Sequence, residues 1–306
     1  MKILIIGEKF FGYAERIKDF LEKKNYEADL VFGFAPNFRD RIKRKLLGGG
    51  FDEKDYYKNV LKKDEIYDYI LVINGKFLPD YFVEEIRSNY QGAKKILYVW
   101  DDLKNLNQTE EFFGLFDKKY SYSKFDADQN SAFEFRPFFY SNRIKTNAKT
   151  IGASFVGSLH SDRYKTLKNI EKLNPKMNFF FYLYADFMSY FKYWKETKLK
   201  DIRFKVLNYD GYVKTLADSV ALIELPHSEQ KNITTRAIEV LGTQTKLVTT
   251  THAIKNYDFY NENNIFILDK NNTSEIQNWL TKDYDEYSEE LLQKYYIESW
   301  IDEILK

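Results

Sequence analysis

The stretch Val220–Thr250, VALIELPHSEQKNITTRAIEVLGTQTKLVTT, carries the residues best suited to chemistry. A β-branched run enters a polar loop, Pro226–Lys231. Asn232 or Thr234 can then cap a helix over Thr234–Leu241. The free backbone N–H groups and dipole of such a start, at the carboxyl edge of a sheet, suit a diphosphate. Arg236 falls in the first turn, where a cation is mildly unfavourable to the helix itself and so fits a phosphate better. Thr235 and Gln230 belong to the same set, His227 can bond a sugar hydroxyl or phosphate, and Glu239, one turn on, can accept from ribose hydroxyls. The plainer alternative is a capped amphipathic helix with solvated charges.

A second constellation is Phe155–Tyr164, FVGSLHSDRY: a strand, a short polar loop and a helix start. Gly157 permits close backbone approach, Ser158 and Ser161 offer hydroxyls, and Arg163 offers a guanidinium fork. Proton transfer needs a carboxylate or imidazole at a sheet edge. Asp101 and Asp102 follow the run Lys95–Val99 at its carboxyl end, and Glu8 follows the first run as a rival base. Adjacent carboxylates usually point apart, so at most one of the pair serves, and a cap or a loop hydrogen bond explains both equally well.

Other patterns remove function classes. Gly7–Gly12, GEKFFG, lacks the third glycine of a dinucleotide fingerprint and the Lys-Ser/Thr of a phosphate-binding loop. Asp126-Ala127-Asp128 resembles a metal-binding triplet, but 46 acidic residues produce such triplets by chance. There is no cysteine and only His160, His227 and His252 offer imidazoles, so no metal site is expected. With 47 Lys+Arg against 46 Asp+Glu, no global field recruits nucleic acid. The opening MKILIIGEKF is too short for a signal-peptide core, and no run reaches spanning length, which together point to the cytoplasm. Phe38–Gly50, FRDRIKRKLLGGG, sets Phe38, Ile42 and Leu46 on one helix face among five cations. Such a helix can touch an anionic membrane surface as a peripheral contact.

These candidates need sheets to position them. A chain of 306 residues predicts two domains of about 150 residues each. Short apolar runs at Lys2–Ile6, Ala28–Phe32, Tyr69–Ile73, Lys95–Val99 and Lys119–Ser121 alternate with helical-period segments, including Gly12–Lys24, Phe38–Leu47 and Pro79–Asn89. The alternation restarts at Ile151 and runs to Leu268. The fold class expected is therefore α/β, two Rossmann-like doubly wound parallel-sheet domains facing a cleft. The joint is placed in the polar stretch Tyr140–Thr150, which gives domains over 1–145 and 146–283. A closing helix within 284–306, with Tyr287, Leu291, Tyr295 and Ile301 at helical spacing, can pack back on the first domain.

The runs ILYVWDDLKN, FDKKYSYSKFDAD, FRPFFY, FVGSLHSDRY and HSEQKNITTRAIEVLG, in that order between Lys95 and Leu268, resemble bacterial capsular and lipopolysaccharide biosynthesis glycosyltransferases. The resemblance implies a GT-B fold and a nucleotide-diphosphate-sugar donor held by the second domain. It also implies a glycan or lipid-linked glycan acceptor held by the first, as in capsule, lipopolysaccharide or O-antigen assembly, and transfer without a cofactor or an essential metal. Many retaining members carry two Glu separated by seven residues, but here the position that far before Glu239 is Lys231, leaving the stereochemical outcome open. A nucleotide-sugar epimerase of the same architecture and a two-domain small-molecule binding protein are the competing readings.

Overall fold

The structure, a computed structural model, describes residues 1–306 apart from 34–59, 62–64, 76–77, 79, 107–108, 147, 161 and 228–231. The expected helix Phe38–Leu47, Ser161 and Gln230 lie outside the described residues. Two compact units emerge: Met1–Phe138 with Ile297–Lys306, and Phe139–Tyr296.

The first unit runs β1 (Lys2–Gly7), α1 (Tyr13–Lys23), β2 (Glu27–Phe32), β3 (Tyr69–Ile73), α2 (Asp80–Asn89), β4 (Lys94–Val99), α3 (Glu110–Phe113), β5 (Lys118–Ser121), α4 (Lys124–Gln129) and β6 (Glu134–Phe135). Among the described residues its sheet is parallel throughout, in the order β2-β1-β3-β4-β5-β6. Parallel strands are covered on both faces, hence the unbroken apolar run of β1. Leu4 and Ile6 join Ile70, Val72, Leu97 and Val99 over Phe82 and Ile86 of α2. Ile3 and Ile5 point to the opposite face by the strand's two-residue period and are equally buried. The terminal helix Ile297–Ile304 packs against α1. Its Trp300 is fully buried with its ring 4.7 Å from that of Tyr98. Lys24 meets Asp302 at 2.6 Å, and buried Arg136 meets Glu303 at 2.9 Å.

The second unit runs β7 (Ile151–Ser158), α5 (Arg163–Leu173), β8 (Phe179–Tyr184), α6 (Phe187–Tyr193), β9 (Ile202–Arg203), α7 (Tyr209–Ala217), β10 (Ser219–Glu224), α8 (Arg236–Glu239), β11 (Lys246–Thr249), β12 (Ile265–Ile267), α9 (Ile276–Trp279) and α10 (Glu289–Tyr295). Its sheet, again parallel, has the order β12-β11-β10-β7-β8-β9. Ala153, Phe155, Ala221, Ile223 and Val248 of the strands pack with Leu167 and Ile170 of α5. The doubly wound parallel architecture read from the sequence is thus present in both halves.

The two ends of the second unit differ from the sequence reading. Compact packing divides the chain at Phe138/Phe139, ahead of the boundary placed at 145. The polar segment that looked like a linker is bonded into the second unit: Tyr140 N–H donates to Tyr295 O at 3.0 Å, Tyr140 Oη–H to Leu292 O at 2.8 Å, and Ile144 N–H to Gly242 O at 2.8 Å. A Cβ on Gly242 would stand 2.1 Å from Asn142 O, so only glycine allows this crossing. The single closing helix is instead two helices. Tyr296 adopts extended dihedrals and bridges to Tyr140, which ends α10 before the terminal helix begins.

Candidate functional site

Doubly wound sheets bind ligands where the strand order reverses, at the carboxyl ends of the strands. In the second unit that point lies between β7 and β10. The candidates Ser158, Arg163, His227, Thr234 and Arg236 sit at or just past these two strand ends, and His160 joins them. The imidazole rings of His160 and His227 are 5.4 Å apart.

Arg163, in the first turn of α5, is buried and fixes both strand ends. Its Nε–H donates to Leu225 O at 2.8 Å, just beyond β10, and its Nη1–H to Ser158 O at 3.0 Å, the last residue of β7. Nη1 also lies 3.4 Å from the exposed Ser158 hydroxyl. The guanidinium rests 5.7 Å from the centre of the Phe155 ring. This assembly fills the space beside Gly157, where a Cβ would come within 2.8 Å of Phe155 Cζ. The missing side chain of Gly157 therefore serves internal packing, where the sequence suggested ligand approach.

Burial, followed by the charge of Arg236, lowers the Arg163 pKa to about 10. His160 is lowered to about 4 by burial and then by the charges of Arg163, His227 and Arg236, with Asp162 opposing. Two guanidinium groups thus act on one strand-end crevice beside the His160 and His227 rings, with Asp162 and the buried Glu224 opposing them, an arrangement that can receive an anion.

Sequence reasoning missed Glu224. It ends β10 fully buried, and its carboxylate accepts from the Thr234 hydroxyl, from Thr234 N–H at 3.3 Å and from the Thr249 hydroxyl at 2.5 Å. Burial pushes its pKa up against these stabilising bonds. Glu224 thereby anchors the segment that presents Arg236. A lone carboxylate within the apolar run VALIE was the available signal. Thr234 Oγ1 also accepts from Arg236 N–H at 3.2 Å.

The expected helix Thr234–Leu241 forms only as the short α8 followed by a 3-10 turn, Val240–Thr243. Neither Asn232 nor Thr234 is its N-cap; Thr235 takes that position without a side-chain capping bond. Asn232 and Glu239 are buried, while Thr235 and Arg236 are half-buried.

In the first unit the strand order reverses between β1 and β3. Glu8 follows β1 there, half-buried, and shares a small recess with Gly7, Gly33 and Gly75. Asn74 Nδ2 lies 3.4 Å from Glu8 Oε2. Asn74 is held in the left-handed region (φ 60°), donating its N–H to Tyr98 O at 2.9 Å and accepting from Trp100 N–H at 2.9 Å. Asp101 and Asp102 stand past β4, one strand further along the sheet. Asp101 Oδ1 accepts from Asp102 N–H at 2.8 Å and from Asn105 Nδ2 at 3.0 Å, the geometry of a loop brace. Asp102 is buried, 3.8 Å from Lys104 Nζ. Glu8 is the carboxylate at the crevice.

No protein-family model and no curated protein sequence matches the chain. Solved structures do match. Anabaena Alr3699/HepE, in complex with UDP and glucose, superposes with a TM-score of 0.63 at 11% identity, covering 100% of this chain and 98% of that one. AviGT4, a glycosyltransferase involved in avilamycin A biosynthesis, gives 0.62 at 10% identity, covering 100% and 96%. The DNA-modifying enzyme β-glucosyltransferase gives 0.52 at 13%, covering 99% and 98%. The chain has the two-domain GT-B fold of these structures. Among the described residues no helix is long and apolar enough to cross a membrane.

Proposed function

We propose that this chain is a glycosyltransferase whose substrate is a nucleotide-diphosphate sugar, held by the second unit. The observation that carries this reading is the convergence of Arg163, Arg236, His160 and His227 at the β7/β10 reversal. A diphosphate answers the charge of the two guanidinium groups, beside which Asp162 and the buried Glu224 also stand. Ser158, Thr234, Thr235 and Asn232 offer hydrogen bonds nearby, and Glu239 is assigned to the ribose. The neighbours captured with UDP support a uridine nucleotide as the first ligand to try.

Glu8 is the proposed base that takes the proton of an acceptor hydroxyl, with Asp101 and Asp102 the lesser candidates. Transfer then needs neither cofactor nor metal. The sequence resemblance supports a growing bacterial surface glycan, free or lipid-linked, as acceptor, and the basic amphipathic pattern of 38–50 supports a cytoplasmic protein in peripheral contact with the membrane. Calorimetry with UDP and UDP-sugars, with and without a chelator, tests the donor half. Saturable binding indifferent to the chelator is expected, and no binding of any nucleotide diphosphate would sink the reading.

A further inference from the structure

Large apolar side chains are mostly buried in this molecule, with one concentrated exception. Among the described residues, eight of the fourteen exposed large hydrophobics fall between Phe180 and Val206. Phe187, Met188, Phe191 and Trp194 are exposed by 69%, 81%, 66% and 55%. They occupy α6 and its C-cap at positions i, i+1, i+4 and i+7, one face of a helix. Phe204 extends the face by stacking on Phe187 at 5.0 Å between ring centres. Scattered apolar residues need no explanation, but a contiguous face does.

Charge around this face is one-sided. From Asp186 to Val206 the chain has six cations, Lys192, Lys195, Lys198, Lys200, Arg203 and Lys205, against three carboxylates, and all six cations are exposed. The carboxylates are engaged elsewhere: Asp186 caps α6 through Ser189 N–H, Glu196 pairs with Lys165, and Asp201 pairs with Lys168 and accepts from Tyr164. On the helical projection Lys192 lies beside the apolar stripe, and Lys195, in the turn that follows the helix, has its Nζ 5.7 Å from the Trp194 ring centre.

We infer that this face of the second unit, centred on Phe187, Phe191 and Trp194, docks on an anionic lipid bilayer. Apolar rings enter the headgroup boundary while lysines reach lipid phosphates. A neutral bilayer would leave the cations unanswered. The inference rests on exposure and charge, independently of donor binding, and names a surface other than the 38–50 segment.

Flotation of the full chain with vesicles tests it. Tight capture by vesicles containing about one-third phosphatidylglycerol is expected, with little capture by phosphatidylcholine alone. Phe187→Ser with Phe191→Ser should reduce capture about tenfold or more, since each ring contributes through the apolar area it inserts. Lys192→Glu with Lys195→Glu should also reduce capture. Both variants alter exposed side chains, so melting temperature and UDP binding should stay at wild-type values. Trp194 emission should shift to the blue with anionic vesicles, and Trp194→Phe should abolish the shift. The inference is overturned if the wild type is not captured, or if both double variants are captured as well as it is. It is equally overturned if sedimentation shows a dimer that Phe187→Ser/Phe191→Ser dissolves, which would assign the face to a second copy of the chain.

Discussion

The two strand-order reversals of this molecule share a topology and differ in chemistry. At β1/β3 the recess holds a carboxylate, Glu8, bonded to Asn74 and lined by Ile6, Ile73, Leu78 and three glycines. At β7/β10 it holds two guanidinium groups and two imidazoles. A doubly wound sheet supplies a crevice wherever its strand order turns back, and the side chains delivered there decide what enters. A crevice with a lone carboxylate suits a neutral polyol whose hydroxyl must lose a proton, whereas a cationic one suits a diphosphate.

Exchanging roles between the crevices is the sharpest way to break this contrast. Glu8→Gln keeps the shape and removes the proposed base, so turnover of a UDP-sugar, by transfer or by hydrolysis, should fall about 10²- to 10⁴-fold. UDP affinity should not change; wild-type turnover in this variant would return the role to Asp101 or Asp102. Next in size is Trp300→Ala, which should cost about 3–5 kcal/mol through the cavity it leaves. Hydrogen exchange followed by mass spectrometry should locate the loss in β1 and β4, with β7 and β10 unaffected. Loss of protection in β7 would contradict the division into units.

Arg236→Ala should weaken UDP about 10- to 100-fold by calorimetry, the range of a charge-assisted hydrogen bond, without altering fold stability much. Equal affinity in the variant would remove the donor assignment. The smallest effect concerns His160. Its folded pKa of about 4 lies below the ordinary 6.5, so as pH falls through that window the unfolded chain gains a proton that the folded chain does not. The imidazole's contribution to stability is therefore full above about 6.5 and is lost toward about 4. A bound diphosphate should raise the His160 pKa, so binding of a UDP-sugar at pH 5 should take up protons. An NMR titration unchanged by ligand would place the anion elsewhere.

Both sheets could be read from sequence because parallel strands buried on two faces leave uninterrupted apolar runs such as KILIIG and VALIE. The cationic crevice was legible in part, since Arg163 and Arg236 each follow a strand and a polar loop. Their mutual approach was not, because it depends on β7 and β10 being neighbours in the sheet while lying far apart in the chain. The stretch Tyr140–Thr150 shows the same limit of sequence. Its polar composition signals a linker, but the N–H groups of Tyr140 and Ile144 donate to Tyr295 O and Gly242 O, partners remote in sequence. Sequence predicts one helix over Thr234–Leu241 where the four-residue α8 forms, because helical spacing does not reveal the 3-10 tightening at Val240–Thr243.

The guanidinium of Arg163 has a further consequence. Its bonds to Ser158 O and Leu225 O hold it in place through the protein's own backbone, so its positive charge stays fixed near His160 and within the influence of Arg236. Such a site behaves as a small ion exchanger. Sulfate or phosphate should occupy it weakly, raise the melting temperature of the chain and compete with nucleotide, whereas chloride at the same ionic strength should do far less. The buffer in which this protein is purified would then decide how much of this crevice is open when an assay begins.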